Sequence, residues 1–499
     1  MARNLHIVKF IQSLNTIEIQ IIEDYLHSIY LLSNSKKKES KQLMLFRYIS
    51  SNKEKLITDN ELIKNIAIKD IYSQKYSLSI KIYDALLLSK HLENKEIFNE
   101  REQIVFSLKK KILLIKSLRR SSNQGRMDTL NLLLAETVKI AKDNQVFDVL
   151  VEALIQKKQI NGIRLGPKAF ENINREIFYY ELCFKCVQNA NDAYYRLILN
   201  KDFINSFSKE KLDSHLKNSI KKLARDYKNT KAHEVNYYLH ILKLEYYEHN
   251  REYLKGIKYC NMLINLLRKS KIMYSKNRIG IALNTLSQFS IYAKKSADGV
   301  FNAQKAQRFF IKNSLNYLLS KELELYAYLY SYNYKDAYKC IEEMLQHSMT
   351  DTGEFRKSKY IYFKACILFA TKQYQFALEL LNKSLEIEKD KSKWNISLRI
   401  LIIMTFLELN KINEVGRLVE ALRKYIERTK RTGIIEERYI LIVKLLRELE
   451  KNGYEFNPAN NNATKILTLL AKKNTPLSWN YYTPEIIPFH KWLLDKKTY

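Results

Sequence analysis

Glycine and proline are scarce in this chain, ten and five among 499 residues. Few turns can then demand a positive φ, and few positions interrupt a helix. Cysteine is also rare. The five cysteines are odd in number and scattered through helical runs, so they provide no disulfide framework and fit a reducing compartment. The longest apolar run, Ile400–Leu407, falls far short of the roughly 20 residues that a membrane-spanning helix needs. At the start, MARNLHIVKFIQSL places Lys9 inside a short apolar run and offers no small-residue cleavage site, so it does not read as a signal peptide. The expectation is a soluble, cytoplasmic protein without a transmembrane segment. Acidic residues are few beside basic ones, 53 against 85, which leaves a formal net charge of +32. That excess favours acidic partners: nucleic acid, an anionic membrane surface or an acidic protein. An AT-rich coding sequence would account for part of the lysine, asparagine, isoleucine and tyrosine content.

Hydrophobic residues make up 46% of the chain, which places it among globular proteins. Its length allows several domains. Lys, Leu, Ile, Glu and Tyr are prominent, and with so few helix breakers the fold class is all-α. Four segments follow in order. Residues 1–120 form an N-terminal helical domain. Asn15 with Glu18 and Thr58 with Glu61 have the spacing of capping boxes, each opening a helix. The short-helix, turn, helix pattern here fits either a DNA-reading helix-turn-helix or an ordinary helical hairpin. The hairpin is preferred, because neither a glycine turn nor an Arg/Asn/Gln-rich recognition face is present. SSNQG at Ser121–Gly125 breaks the next helix. Residues 126–225 form a helical-hairpin region, with Leu130–Ile140 and Val146–Ile155 joined around Lys142–Gln145. GIRLGP at Gly162–Pro167 is a loop without the lysine and hydroxyl residue of a phosphate loop.

Residues 230–450 carry a recurring pattern. The stretch Ser358–Lys389 holds two helical runs joined at Thr371–Gln373, with Ala365 and Ala377 where antiparallel helices must approach closely. Ala365, Tyr374, Ala377 and Ser384 follow a small–aromatic–small–small order. Tyr253 with Gly256 and Tyr334 with Ala337 repeat the aromatic-to-small spacing of three, and Ile412 with Val415 is a looser fit. From Tyr334 to Tyr374 is 40 residues, and from Tyr374 to Ile412 is 38. Between Tyr253 and Tyr334 the helices around Leu283–Ala293 and Ala303–Leu315 are less regular. This pattern resembles a tetratricopeptide repeat (TPR). Ile361, Lys364 and Lys389 depart from it where the family favours Trp, Leu and Pro, and the intervals exceed the family's 34. The resemblance implies stacked antiparallel hairpins forming an α-solenoid with a concave binding face. Tyr253, Gly256, Tyr334, Ala337, Ala365, Tyr374 and Ala377 are then its packing residues.

Residues 455–499 differ from the rest. Four of the five prolines and two of the three tryptophans lie there: Pro458, Pro476, Pro484, Pro488, Trp479 and Trp492. A helix is expected over Ala463–Lys472. Beyond it the chain cannot stay helical through Pro484 and Pro488. So aromatic a segment is expected to be a C-terminal cap on the last hairpins or a docking peptide.

Catalytic, cofactor and metal sites are not evident. Cys183 and Cys186 form a CFKC pair without a second ligand pair, so they are assigned to core packing. His233 and His240 are seven apart, unlike the metal-gripping HExxH spacing. Three basic clusters are candidate contacts to an acidic partner. They are Lys109, Lys110, Lys116, Arg119 and Arg120; Arg268, Lys269, Lys271 and Arg278; and Arg423, Lys424, Arg428, Lys430 and Arg431. Tyr274 and Tyr425 lie among them, and rings between cations suit stacking on unpaired bases. Cations near helix ends also complement the macrodipole, which is the structural reading of the same residues. The expected function is a non-enzymatic scaffold binding a protein partner in the solenoid groove. The alternative is a basic factor associated with RNA or DNA.

Overall fold

The computed structural model describes residues 2–32, 40–53, 55, 57–66, 70–88, 99–119, 124–162, 165–203, 209–351, 354–383, 394–432, 435–455, 461–472, 475, 477–480 and 483–496. Among the described residues the regular structure is helical throughout, without a strand. Two compact units divide at Glu181/Leu182. Unit 1 holds α1 (Ala2–Ser13), α2 (Thr16–Leu32), α3 (Lys41–Ser51), α4 (Asp59–Ile66), α5 (Ile71–Leu88), α6 (Glu100–Leu118), α7 (Gln124–Asp143) and α8 (Phe147–Lys157). The division falls within α9 (Pro167–Phe203). Unit 2 holds α10 (Lys209–Thr230), α11 (His233–His249), α12 (Tyr253–Lys269), α13 (Lys276–Tyr292), α14 (Ser296–Gln307), α15 (Leu315–Tyr330) and α16 (Tyr334–Leu345). It continues with α17 (Glu354–Ala370), α18 (Tyr374–Lys383), α19 (Trp394–Glu408), α20 (Ile412–Thr432), α21 (Glu437–Glu450), α22 (Asn461–Ala471) and α23 (Phe489–Lys496).

In unit 1 both expected capping boxes are present. Asn15 N–H donates to Glu18 Oε2 while Glu18 N–H donates to Asn15 Oδ1, each at 2.9 Å. Thr58 and Glu61 exchange the same pair of bonds at 2.9 and 3.4 Å. A third box, Asn99 with Glu102, opens α6. One core joins Ile7 and Ile11 of α1, Phe46 of α3 and Ile82 of α5. Helix α6 packs on α7 and α8, so the sequence-based edge at 120 falls between packed neighbours.

Unit 2 is a run of antiparallel hairpins, each helix packed on the next. One turn recurs: its central residue has positive φ at Arg251 (59°), Lys294 (60°), Tyr332 (60°), Lys372 (62°) and Asn410 (56°). The amide of that residue donates to the carbonyl three back, as from Lys372 to Phe369 at 3.0 Å. The next amide donates to the carbonyl five back, as from Gln373 to Leu368 at 2.9 Å. These two bonds satisfy the last carbonyls of the first helix and reverse the chain, the Schellman arrangement that glycine usually occupies. In a glycine-poor chain, five non-glycine side chains carry the left-handed conformation instead, at roughly 1–2 kcal/mol each. Two residues on, the second helix starts at Tyr253, Ser296, Tyr334, Tyr374 and Ile412. The turn at Gln145 between α7 and α8 in unit 1 is built the same way.

Ser296 opens a hairpin that the sequence pattern left irregular, because serine stands where its neighbours have an aromatic or isoleucine. Gly299, three residues on, was the available signal. A Cβ there would meet Ile291 Cγ1 at 2.8 Å and Ala327 Cβ at 3.4 Å. The expected helix Ala303–Leu315 is also corrected: α14 ends at Gln307, and α15 starts after Ser314, whose hydroxyl accepts from Tyr317 N–H. The break lets Phe310 fill the space over Gly280, where a Cβ would meet its ring at 2.4 Å. A continuous core runs from Ile291 to Leu493, so the hairpins and the C-terminal segment share one apolar interior.

Candidate functional site

The repeat-packing residues sit between helices. Ala337, Ala365 and Ala377 are fully buried, while Tyr253, Tyr334 and Tyr374 are half-buried at the starts of their helices. Gly256 is the tightest approach, since a Cβ on it would meet Phe289 of α13 at 2.2 Å. The Tyr253 ring closes that contact, 5.0 Å from Tyr292 and 6.4 Å from Phe289. Tyr374 packs edge-on against Phe369 across its own turn at 5.3 Å. Ser384 lies outside the described residues.

The basic clusters divide into paired and open cations. In unit 1, Lys109 reaches Asp148 at 3.7 Å and Lys116 pairs with Glu152, which ties α6 to α8. Arg119 donates to Gln156 at 3.3 Å and to Gln159, while Lys110 is half-buried. Arg120 lies outside the described residues. In unit 2, Arg278 stacks on Tyr237 with its guanidinium 4.8 Å from the ring centre. Arg423 is held on its own helix by Glu420 and Glu427, and it keeps the Glu420 carboxyl down at about 2. Lys424 lies 3.8 Å from the same Glu420. Arg268, Lys269, Lys271, Arg428, Lys430 and Arg431 are exposed. Several candidates thus serve helix–helix or within-helix pairing, and the open ones cluster at the ends of α12 and α20.

A third group was not legible as a site. The C-terminal segment folds back over the first helices of successive hairpins. Arg438 of α21 and Glu485 are each 3% exposed and form a forked ion pair, with Nε to Oε2 at 2.6 Å and Nη2 to Oε1 at 2.8 Å. Arg438 Nη1 also donates to the carbonyls of Leu470 at 3.1 Å and Leu477 at 2.8 Å. Its Nη2 reaches His490 Nδ1 at 3.0 Å. Burial, with help from Arg438 and Lys491, pushes the His490 imidazole down to about 4, so it is neutral near pH 7 and accepts from the guanidinium. Glu485 Oε1 further accepts from Phe489 N–H at 2.8 Å, at the start of α23 directly after Pro488. A carboxylate there complements the helix dipole.

The rest of the segment is held by aromatic and main-chain contacts. Tyr362 of α17 donates its hydroxyl to the Pro484 carbonyl at 2.9 Å. Trp492 Nε1 donates to Glu408 of α19 at 2.6 Å, and Trp479 packs edge-on against Tyr330 of α15 at 5.5 Å. Phe489 is fully buried and Trp492 nearly so. The segment therefore does more than cover the last hairpin, for it touches α15, α17, α19 and α21 in turn. An ion pair 47 residues apart in sequence leaves no local periodicity. The aromatic and proline content was the only available signal.

Other candidates are structural. Cys183 and Cys186 are buried thiols of α9. His233 Nδ1 lies 2.9 Å from Ser270 Oγ, and His240 is held neutral by burial, its pKa lowered to about 4. Among the described residues no group of three His, Cys, Asp or Glu side chains could hold a metal, and no helix is long and apolar enough to cross a membrane.

Recurring Schellman turns, small residues three positions into the second helix and consecutive antiparallel packing define a TPR-like helical-repeat protein, an all-α solenoid. Neither a protein-family model nor a curated protein matches the sequence. Solved structures are similar to the chain at low identity. A Rap protein complexed with Competence and Sporulation Factor is 12% identical, covering 74% of this chain and 87% of its own, with a TM-score of 0.41. The apo form of RapI is 13% identical over 74% of this chain and 86% of its own, with a TM-score of 0.45. A Signal Transduction ATPase with Numerous Domains carrying a tetratricopeptide repeat sensor, from Pyrococcus horikoshii, is 13% identical over 85% and 67%, with a TM-score of 0.40.

Proposed function

We propose that the chain is a non-enzymatic, cytoplasmic scaffold that binds a protein partner along the first-helix face of its repeats. One observation carries this reading: four successive first helices already hold a polypeptide, the segment containing Trp479, Glu485 and Trp492. The contacts combine a main-chain carbonyl, a buried carboxylate and aromatic rings. A face that offers donors, a guanidinium and ring surfaces to one polypeptide offers the same chemistry to another. Fold alone does not set function, so the reading rests on that face and not on the repeat architecture.

The test is affinity capture with the full chain and with Glu485→Lys, which places two cations together and frees the segment. Capture of a protein that increases with Glu485→Lys and survives nuclease treatment is the expected outcome. Capture that vanishes on nuclease treatment supports the second reading, a nucleic-acid-associated factor. That reading draws on the net charge of +32 and on the exposed Lys269, Lys271, Lys430 and Arg431. Binding of single-stranded RNA or duplex DNA would then weaken steeply with salt, roughly one unit of log–log slope for each phosphate contact.

A further inference from the structure

A cavity of about 520 Å³ lies between the C-terminal segment and the hairpin turns of unit 2. Its size falls in the range of small-molecule pockets, about 300–1,000 Å³. One wall is the turn edge of two hairpins: Tyr330, Tyr332 and Tyr334 from the first, Phe369, Lys372 and Tyr374 from the second. The opposite wall is the segment itself, with Trp479, Ile487, Pro488, Lys491, Trp492 and Lys496. Aromatic side chains therefore line the space on both sides.

The charges are distributed unevenly. Lys372, Lys491 and Lys496 line the cavity together with Glu408 and Asp495. Glu408 is already engaged, accepting from Trp492 Nε1 at 2.6 Å and pairing with Lys496 at 3.2 Å. Lys491 lies over the Tyr332 ring, 4.3 Å from its centre, and donates to the Tyr332 hydroxyl. Lys372 is exposed at the mouth. The net sign is positive, and the cations stand beside ring faces.

Tyr332 adds a separate observation. Among the described residues of unit 2, Tyr332 at φ 60° and Tyr454 at φ 67° are the aromatic residues in the left-handed conformation, and Tyr332 is the one that lines this cavity. Glycine would take that conformation without strain. A bulky ring there is a genuine outlier, and outliers of this kind gather at ligand sites. The Tyr332 ring lies beneath the Lys491 ammonium and lines the cavity.

We infer that this cavity is a binding site for a small planar aromatic anion, its ring held against the aromatic side chains that line both walls, its charge met by Lys372 and Lys491. Apolar walls supply ring contact, and the ammonium groups choose the sign of the ligand. Because half the wall belongs to the C-terminal segment, an occupied cavity holds that segment down, and a ligand bound only by the docked state raises the melting temperature. The inference is independent of the protein-scaffold reading, since it needs only the docked segment.

Calorimetric titration of the full chain with three indole probes of one shape tests it. Indole-3-acetate carries a negative charge, tryptophol is neutral and tryptamine is positive. Indole-3-acetate is expected to bind at least about tenfold more tightly than tryptophol, with tryptamine weaker than both. Tyr332→Gly is expected to keep or raise the melting temperature, since it relieves the turn, while weakening indole-3-acetate about tenfold or more. Lys372→Glu should remove the preference for the anion. No binding of any probe at millimolar concentration overturns the inference. So does equal affinity for the acid and the alcohol, or unchanged affinity in both variants.

Discussion

Replacing Arg438 by methionine is the sharpest single perturbation of the C-terminal dock. The side chain keeps its length and loses its guanidinium. Glu485, 3% exposed, then keeps only the Phe489 amide among its partners described above. The carbonyls of Leu470 and Leu477 lose their common donor as well. Breaking a buried ion pair from one side destabilises by about 3–5 kcal/mol, because a charge is left without compensation. That is a large part of a typical stability of about 5–15 kcal/mol. The loss is capped by whatever release of the segment alone requires, so two readouts are needed. Urea denaturation gives the global term, and limited proteolysis followed by mass spectrometry gives the local one. Arg438→Met should make the region beyond Glu455 cleavable at low protease. Arg438→Met with Glu485→Met should recover much of the loss, since removing both charges removes the desolvation penalty. An Arg438→Met protein with wild-type melting and a protected C-terminal segment would refute this reasoning.

Four further outcomes follow from the packing. Ala377→Arg should lower stability by several kcal/mol through overpacking and a buried charge, read by thermal melting. Gly256→Ala should cost about 1–3 kcal/mol despite alanine's better helix propensity, because Phe289 must give way by more than an ångström. Lys294→Gly should stabilise by up to about 1 kcal/mol, as glycine carries the φ of 60° without strain. His490 and His240 are both depressed from 6.5 to about 4 in the folded chain, so the unfolded chain binds more protons between those values. Stability should therefore fall as pH drops from 6.5 towards 4, and His490→Gln should flatten that dependence.

The parts of the fold that sequence could show are those written locally. Ala337 and Ala377 are fully buried while Tyr334 and Tyr374 are half-buried against the same core, because one turn of helix carries both the ring and the gap it needs. Asn15–Glu18 and Thr58–Glu61 cap helices for the same reason: partners three residues apart find each other without help from the fold. The Ser296 hairpin escaped because serine replaced the aromatic, although Gly299 kept the close approach. The join at Thr371–Gln373 was legible, but the left-handed φ at Arg251, Lys294 and Lys372 was not, because lysine and arginine give no sign of it. The C-terminal dock was legible as aromatic and proline-rich, but its partners Tyr330, Tyr362, Glu408 and Arg438 come from four hairpins. Only the folded array brings them together. The basic clusters illustrate the opposite case, since Lys109, Lys116 and Arg423 looked available in sequence and have carboxylate partners in the structure.

The central claim is that the first-helix face of unit 2 recognises a polypeptide, and it can be measured in trans. A fluorescein-labelled peptide of residues 475–496 is titrated into the full chain carrying Glu485→Lys, with anisotropy as the readout. Saturable binding is predicted, at least about tenfold tighter than to the wild-type chain, whose own segment occupies the face. Adding Arg438→Met to the Glu485→Lys chain should abolish that binding. No binding to the Glu485→Lys chain, or binding that does not depend on Arg438, would contradict the account.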